Sequence, residues 1–330
     1  MHRRRIIALP MAALVAVLGV TGCSGDAGGA GDGPLDISLL TTYNGLPFYT
    51  AMQCGAQDAA KELGGDITIR AEGPSRGMNA ADQIPVLEGV VNRHPDGMIF
   101  VPADPVAMMA PAQTAVSAGI PMVTTDASLQ DEIAMAQFRG DNKAGGRLAA
   151  EELVRLVGER PGKILVLDVR PGLPVTNLRA EGFVEAVKEL APGLEVLGTQ
   201  YHEDDPNKAA VIVESSLQSH SDIVGIFGTS EAASMGAASA LQARSGEDIA
   251  VIAYDAGPSL VQALKDGVID ALVAQGSYRM GYDATKTLVA YLRDGTKPAS
   301  FDHVIDSVVV TRDNVEDPNV AKSLYPASCG

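Results

Sequence analysis

From residue 35 onward the chain alternates short apolar runs with longer stretches whose apolar positions recur every three or four residues. The short runs are DISLLT (36–41), DITIRA (66–71), DGMIFVP (96–102) and IPMVTTD (120–126). Between them lie PFYTAMQCGAQDAAKEL, NAADQIPVLEGVVNR and PVAMMAPAQTAVSAG, which carry helical spacing. Strands that are apolar along most of their length and separated by helices predict a parallel sheet buried on both faces. Strand starts about 25 to 30 residues apart suit right-handed βαβ units.

A second set follows: KILVLDV (163–169), LEVLGTQ (194–200), DIVGIFG (222–228), DIAVIAYD (248–255) and VIDALVAQ (268–275). Helices are expected over 175–190, 207–219, 231–243, 258–266 and 277–293. Nine such strands exceed what one open sheet needs, so the pattern predicts an α/β protein of two doubly wound parallel-sheet lobes. A turn at Gly140 to Asn142 marks a crossover between the lobes. The pair VIDALVAQ and HVIDSVVV flanks a single helix and is expected to return the chain to the first lobe and back. The expected division is 35–140 plus 276–304 for the N-terminal lobe and 141–275 plus 305–330 for the C-terminal lobe.

The first 34 residues break this pattern. MHRRRIIALPMAALVAVLGVTGC has three arginines, then an apolar stretch too short for an ordinary membrane-spanning helix, then small residues. Residues 1–22 are therefore expected to be an export signal. Val20, Thr21, Gly22 and Cys23 resemble a lipobox, which makes Cys23 the expected site of lipid modification. The following SGDAGGAGDGP cannot pack a core, so residues 23–34 are expected to form a flexible tether. The folded body would then sit on the outer face of the cytoplasmic membrane, attached through its lipid alone.

Charge and cysteine count sharpen the picture. The formal charge of the whole chain is −16, and losing the three arginines of the signal makes it −19. A body so acidic excludes nucleic acid and anionic lipid as partners. Of three cysteines, Cys54 and Cys329 remain after Cys23, and an oxidising compartment favours their disulfide. The five histidines lie far apart, no H-E-x-x-H or G-x-S-x-G occurs, and neither an enzyme, a metal nor a cofactor is expected. The acidic YHEDDP (201–206) reads as a solvated loop in which Asp205 and Pro206 start a helix.

In doubly wound sheets ligands bind beyond the carboxyl ends of the strands. Those positions here are Thr41 to Tyr49, Asp104, Asp126, Asp168, Asp204, Asp205, Thr229 to Glu231, Asp255 and Gln275. Acceptors and amides with few cations suit the hydroxyls of a neutral polyhydroxylated ligand, whose C–H faces apolar rings can cover. Asp104, followed by Pro105, reads as a helix cap instead.

The segments ISLLTTYNGLPFYTAMQCGAQDAAKELG, PDGMIFVPAD, IPMVTTD, GDNKAGGRLAA, NLRAEGF, IFGTSEAASMGA, VIAYDAGP and ALVAQ occur in this order. Together they resemble the ribose- and galactose-type periplasmic binding proteins, the solute receptors of sugar ABC transporters. The resemblance implies the type I fold of that family, with a three-strand hinge, a sugar in the cleft, a monomeric receptor and an ABC permease as partner. By position it implies ligand contacts from Thr42, Leu46, Phe48, Tyr49 and Asp126 on one lobe, Asn177, Ser230 and Asp255 on the other, and Gln275 from the hinge. Leu46 stands where ribose receptors carry Asn, Ala127 and Asn177 where they carry Arg, and Ser230 where they carry Asn. These departures disfavour ribose and favour a tetritol, pentitol, inositol or another pentose or hexose. The alternative is a furanosyl signalling molecule, faintly suggested by EGPS (72–75), although residues 41–49 contain no lysine of the kind such receptors use.

Overall fold

The computed structural model describes residues 33–75, 79–242, 244 and 248–330. The expected export signal, Cys23 and the expected tether through residue 32 lie outside the described residues. The chain begins with β1 (Leu35–Leu40), α1 (Pro47–Leu63), β2 (Ile67–Glu72), α2 (Ala80–Arg93), β3 (Gly97–Phe100), α3 (Met109–Ser117), β4 (Met122–Thr125) and β5 (Gln137–Gly140). It continues with α4 (Asn142–Val157), β6 (Gly162–Asp168), α5 (Pro174–Leu190), β7 (Leu194–Val196), β8 (Gln200–Tyr201), α6 (Pro206–Ser219), β9 (Ile223–Gly228) and α7 (Glu231–Gln242). The remainder is β10 (Ala250–Tyr254), α8 (Pro258–Lys265), β11 (Ala271–Ala274), α9 (Ser277–Asp294), β12 (Asp302–Ile305), β13 (Val308–Thr311) and α10 (Pro318–Ala321).

The strands form two sheets. The first has the order β12-β5-β4-β3-β1-β2 and all its pairs are parallel. The second has the order β13-β11-β10-β9-β6-β7, with β8 also on β6, and is parallel except where β13 meets β11. Central strands β3, β4, β10 and β11 are buried at every residue, as expected when helices cover both faces. Up to its last strand the chain passes between the sheets three times: from β5 to α4, from β11 to α9, and from β12 to β13. These crossings lie together, since a Cβ on Gly276 would stand 2.3 Å from the Ile305 side chain.

Helix starts follow local chemistry. Proline occupies the first turn of α1, α5, α6 and α8, where the missing N–H costs nothing. Asp141 caps α4 by accepting from the Ala144 amide at 2.9 Å, and Asp205 caps α6 through the Asn207 amide at 2.8 Å. Asp104 accepts from the amides of Val106 and Ala107 and so acts as the turn-capping residue its sequence suggested. Glycine sets one helix crossing that matters for the cleft. A Cβ on Gly146 of α4 would lie 2.0 Å from the Arg179 carbonyl, and one on Gly182 of α5 would lie 2.1 Å from the Lys143 carbonyl. Only glycine at both contacts lets α4 and α5 approach this closely, and α5 carries part of the cleft.

Three elements differ from the sequence expectation. Strand β5 was not foreseen, because QFRG is short and carries Arg139, which it spends on Asp302 of β12 at 2.9 Å and 2.6 Å. LEVLGTQ is not one strand but the pair β7 and β8. HVIDSVVV breaks at Asp306 and Ser307, so that β12 stays in the first sheet and β13 joins the second. Beyond β13 the tail crosses back toward the first sheet, and Cys329 is joined to Cys54 of α1 with their Cα atoms 5.2 Å apart.

Candidate functional site

A cavity of about 870 Å³ opens between the two sheets, at the carboxyl ends of their strands. The first lobe contributes Thr42, Leu46, Phe48, Tyr49 and Asp126, and the second contributes Ser230 and Asp255. Gln275 lies at the crossing from β11 to α9. Eight of the nine ligand-binding candidates are thus brought together. The ninth, Asn177, does not line the cavity.

The reason is helical geometry. Residues 176 and 179 are three apart on α5 and share a face, whereas 177 is turned by about 100° from 176. Asn177 therefore points into the loop before the helix, donating to Asp168 at 2.6 Å and to the Arg170 carbonyl at 2.8 Å, and accepting from the Leu173 amide at 3.0 Å. Thr176 and Arg179 face the cavity in its place. The expectation that this segment had lost its guanidinium is corrected by Arg179, which is 3% exposed.

Arg179 organises the floor of the cleft. Its Nε donates to Asn142 Oδ1 at 2.9 Å, one Nη to the Thr229 carbonyl at 3.0 Å and the other to Gln275 Oε1 at 3.0 Å. Its plane stacks on the Tyr254 ring at 3.9 Å. Those bonds use three of five donors and leave two N–H groups for the cavity. Gln275 in turn donates through Nε2 to Asp255 Oδ1 at 2.7 Å. Tyr325, from the tail, reaches the same Asp255 oxygen at 3.2 Å and accepts from the Gln275 amide at 3.0 Å.

On the first lobe the Tyr49 hydroxyl lies 2.7 Å from Thr42 Oγ1, and the Phe48 ring meets Tyr49 and Tyr325 edge-on at 5.2 Å and 5.6 Å. Aromatic edges locked in this way make a fixed apolar wall. Asp126 and Asp255 follow β4 and β10 with φ of 64° and 78°, and Asp204 has φ of 61°. The left-handed conformation, which Asp tolerates better than most residues, turns each of these side chains at its strand or loop end.

Five carboxylates line the cavity with Arg179: Asp126, Asp204, Glu231, Asp255 and Asp141, the last of which caps α4. Burial pushes Asp126 up to about 6 against the pull of Arg179. Burial and the charge of Asp255 push Asp204 up to about 6 and Glu231 up to about 7. Asp204 corrects the reading of YHEDDP as wholly solvated, because its neighbour Asp205 caps the helix while Asp204 faces the cleft. Tyr201, in β8, is 39% exposed and does not line the cavity. Glu231 Oε2 and Thr176 Oγ1 are buried without a protein hydrogen-bond partner. Among the described residues no group of three or more His, Cys, Asp or Glu side chains is placed to hold a metal ion.

A family model described as the periplasmic binding protein domain matches residues 37–297. The ribose import binding protein of Bacillus subtilis (strain 168) is 27% identical over 252 residues, covering 76% of this chain and 79% of that relative. An ABC transporter solute-binding protein from Agrobacterium vitis, solved with bound alpha-D-tagatopyranose, is 31% identical with a TM-score of 0.80. That match covers 88% of this chain and 99% of the other. A second Agrobacterium vitis solute-binding protein, solved with D-fucose, is also 31% identical, with a TM-score of 0.79 over 88% of this chain and all of its own.

Proposed function

The chain belongs to the periplasmic binding protein family, and we propose that it is the extracytoplasmic receptor of an ABC importer that binds a sugar or sugar alcohol and delivers it unchanged to the permease. The observation that carries this reading is the convergence of Asp126 from one lobe with Arg179 and Asp255 from the other on one cavity, beside the Phe48 and Tyr49 rings. Carboxylates accept from hydroxyls, the two free Arg179 N–H groups donate to ring or hydroxyl oxygens, and the aromatic wall covers C–H faces. A ligand bound by both lobes stabilises the closed arrangement in proportion to its differential contacts with that state. The closed face then docks on the permease.

The cavity is of a size suited to a small ligand. Arg179 restores a guanidinium that the sequence comparison at position 177 had counted as lost, so the case against ribose now rests on Leu46, Ala127 and Ser230. No observation in the cleft favours a furanosyl signalling molecule, and the named relatives are sugar-binding proteins. The lobe division at 140/141, 275/276 and 304/305 belongs to this reading; sheet membership supports the first two boundaries, while Ile305 still pairs with Gly140 in the first sheet. To the same reading belong lipid attachment at Cys23, supported by the lipobox and tether in the sequence, and a monomeric receptor without catalysis.

The test is a thermal-shift screen of the exported protein, stripped of ligand, against ribose, allose, arabinose, fucose, tagatose, erythritol, xylitol and myo-inositol. A ligand at about a thousand times its dissociation constant adds about 4 kcal/mol of stability. A flat response to every compound overturns the reading.

A further inference from the structure

The tail after β13 is pinned to both lobes at once. Cys329 is bonded to Cys54 of α1 in the first lobe. Four residues earlier, the Tyr325 amide donates to the Ala256 carbonyl at 3.0 Å in the second lobe. Four residues of extended chain reach about 14 Å at most, so the two anchors cannot separate far. The Tyr325 side chain is 3% exposed and does not line the cavity. It nevertheless touches three residues that do: its hydroxyl lies against Asp255 at 3.2 Å and the Gln275 amide at 3.0 Å, and its ring packs on Phe48.

We propose that Tyr325 is a positioning residue of the cleft, setting Asp255, Gln275 and Phe48 from behind, and that the Cys54 to Cys329 bond keeps it seated. This rests on the sugar-receptor reading for its ligand readout, but its geometry is independent of which ligand binds. The Gln275 amide gives its proton to Tyr325, so the tyrosine acts as acceptor there and as donor to Asp255. Burial raises the Tyr325 hydroxyl well above its ordinary value and so keeps that donor protonated. Asp255 Oδ1 then receives two donors, from Tyr325 and Gln275, which fixes its rotamer for the ligand. Gln275 Oε1 passes the same constraint to Arg179. Without the disulfide, nothing covalent holds the last residues against α1, and the tyrosine can leave its seat by fraying of the terminus.

The experiment compares the exported protein with Tyr325→Phe, with Cys54→Ser/Cys329→Ser, and with all three changes combined. Two readouts are taken: the dissociation constant for whichever screened sugar binds, and the hydrogen-exchange rate of the Gln275 amide without ligand. Tyr325→Phe keeps the ring on Phe48 and removes the hydroxyl, so it is expected to weaken binding about tenfold and speed Gln275 exchange about tenfold. The cysteine variant is expected to move both readouts the same way by less, and to add nothing in the Tyr325→Phe background. A lower melting temperature with unchanged affinity and unchanged Gln275 exchange overturns the proposal, as does full additivity of the two effects. Should Tyr325→Phe fail to fold, reduction of the native disulfide supplies the same comparison on the unaltered chain. Should no sugar bind the native protein, the receptor reading fails while Gln275 exchange still decides the role of Tyr325.

Discussion

Asp255→Asn isolates one charge at the meeting point of the cleft. Asn accepts the left-handed backbone that Asp255 adopts at φ 78°, so the turn after β10 is retained. Its amide oxygen can still accept from Gln275 and Tyr325, as Asp255 Oδ1 does at 2.7 Å and 3.2 Å. What changes is the second oxygen, an acceptor with charge, which becomes an NH₂ donor facing the ligand. A hydrogen bond to a charged group contributes about 1.5 to 3 kcal/mol, so sugar affinity is expected to fall about 10- to 150-fold. The ligand-free protein responds differently. Asp255 raises the pKa of Asp126, Asp204 and Glu231 by repulsion, so its neutralisation relieves the cleft and leaves the melting temperature unchanged or higher. Calorimetric titration of the bound sugar at pH 7.5, with melting curves of both ligand-free proteins, measures the two effects separately. An affinity within about twofold of the native value would refute the placement of Asp255 in the binding site.

Asn177→Ala should behave in the opposite sense. It removes the side-chain partner of the Leu173 amide and of Asp168 Oδ2, while Asp168 Oδ1 keeps the Val169 amide and Thr229, so stability falls by about 1 to 3 kcal/mol in urea unfolding while affinity changes far less than in Asp255→Asn. The cleft carboxylates predict a pH dependence with two opposed signs. Because Asp126, Asp204 and Glu231 are raised to about 6, 6 and 7, their protonated forms favour the folded state. Their contribution to stability is fully present below the ordinary carboxylate range and is lost as pH rises through about 6 to 7. Sugar binding, which needs ionised acceptors, should weaken about tenfold from pH 7.5 to pH 5 and release protons; titrations in buffers of different ionisation enthalpy check both, and an affinity that rises on acidification refutes it. Gly146→Ala drives a methyl group into the Arg179 carbonyl and should cost at least about 3 kcal/mol, while Gly89→Ala, where a Cβ meets nothing, should be neutral or stabilising in the same denaturation assay.

The alternation of apolar runs and helical spacing was enough to place α5, α6, α7, α8 and α9 within about two residues and to separate two lobes. It missed β5 because a four-residue strand with an arginine has no period of its own; its pairing with β4 and β12 defines it. The strand-end positions also held most of the cleft, including Asp204 and Glu231, but nothing local distinguished those two from helix caps. Asn177 and Arg179 stand in one quoted motif, NLRAEGF, and the choice between them depended on the phase of α5. The period of 3.6 would have grouped Arg179 with Thr176, had the helix start at Pro174 been used to set that phase.

Composition, charge and chemical type therefore belong to the sequence by itself: a two-lobed α/β protein, a cleft of acceptors and aromatic rings, and a pair of cysteines free to join. These are local or additive properties, and a single chain displays them. Which side chains converge was decided only by the tertiary structure. Arg179 at 3.0 Å from Gln275, and Tyr325 at 3.2 Å from Asp255, join residues 96 and 70 positions apart. Such contacts depend on three chain crossings and on two helices touching at glycine, where a shift of one ångström would move a hydrogen bond out of range.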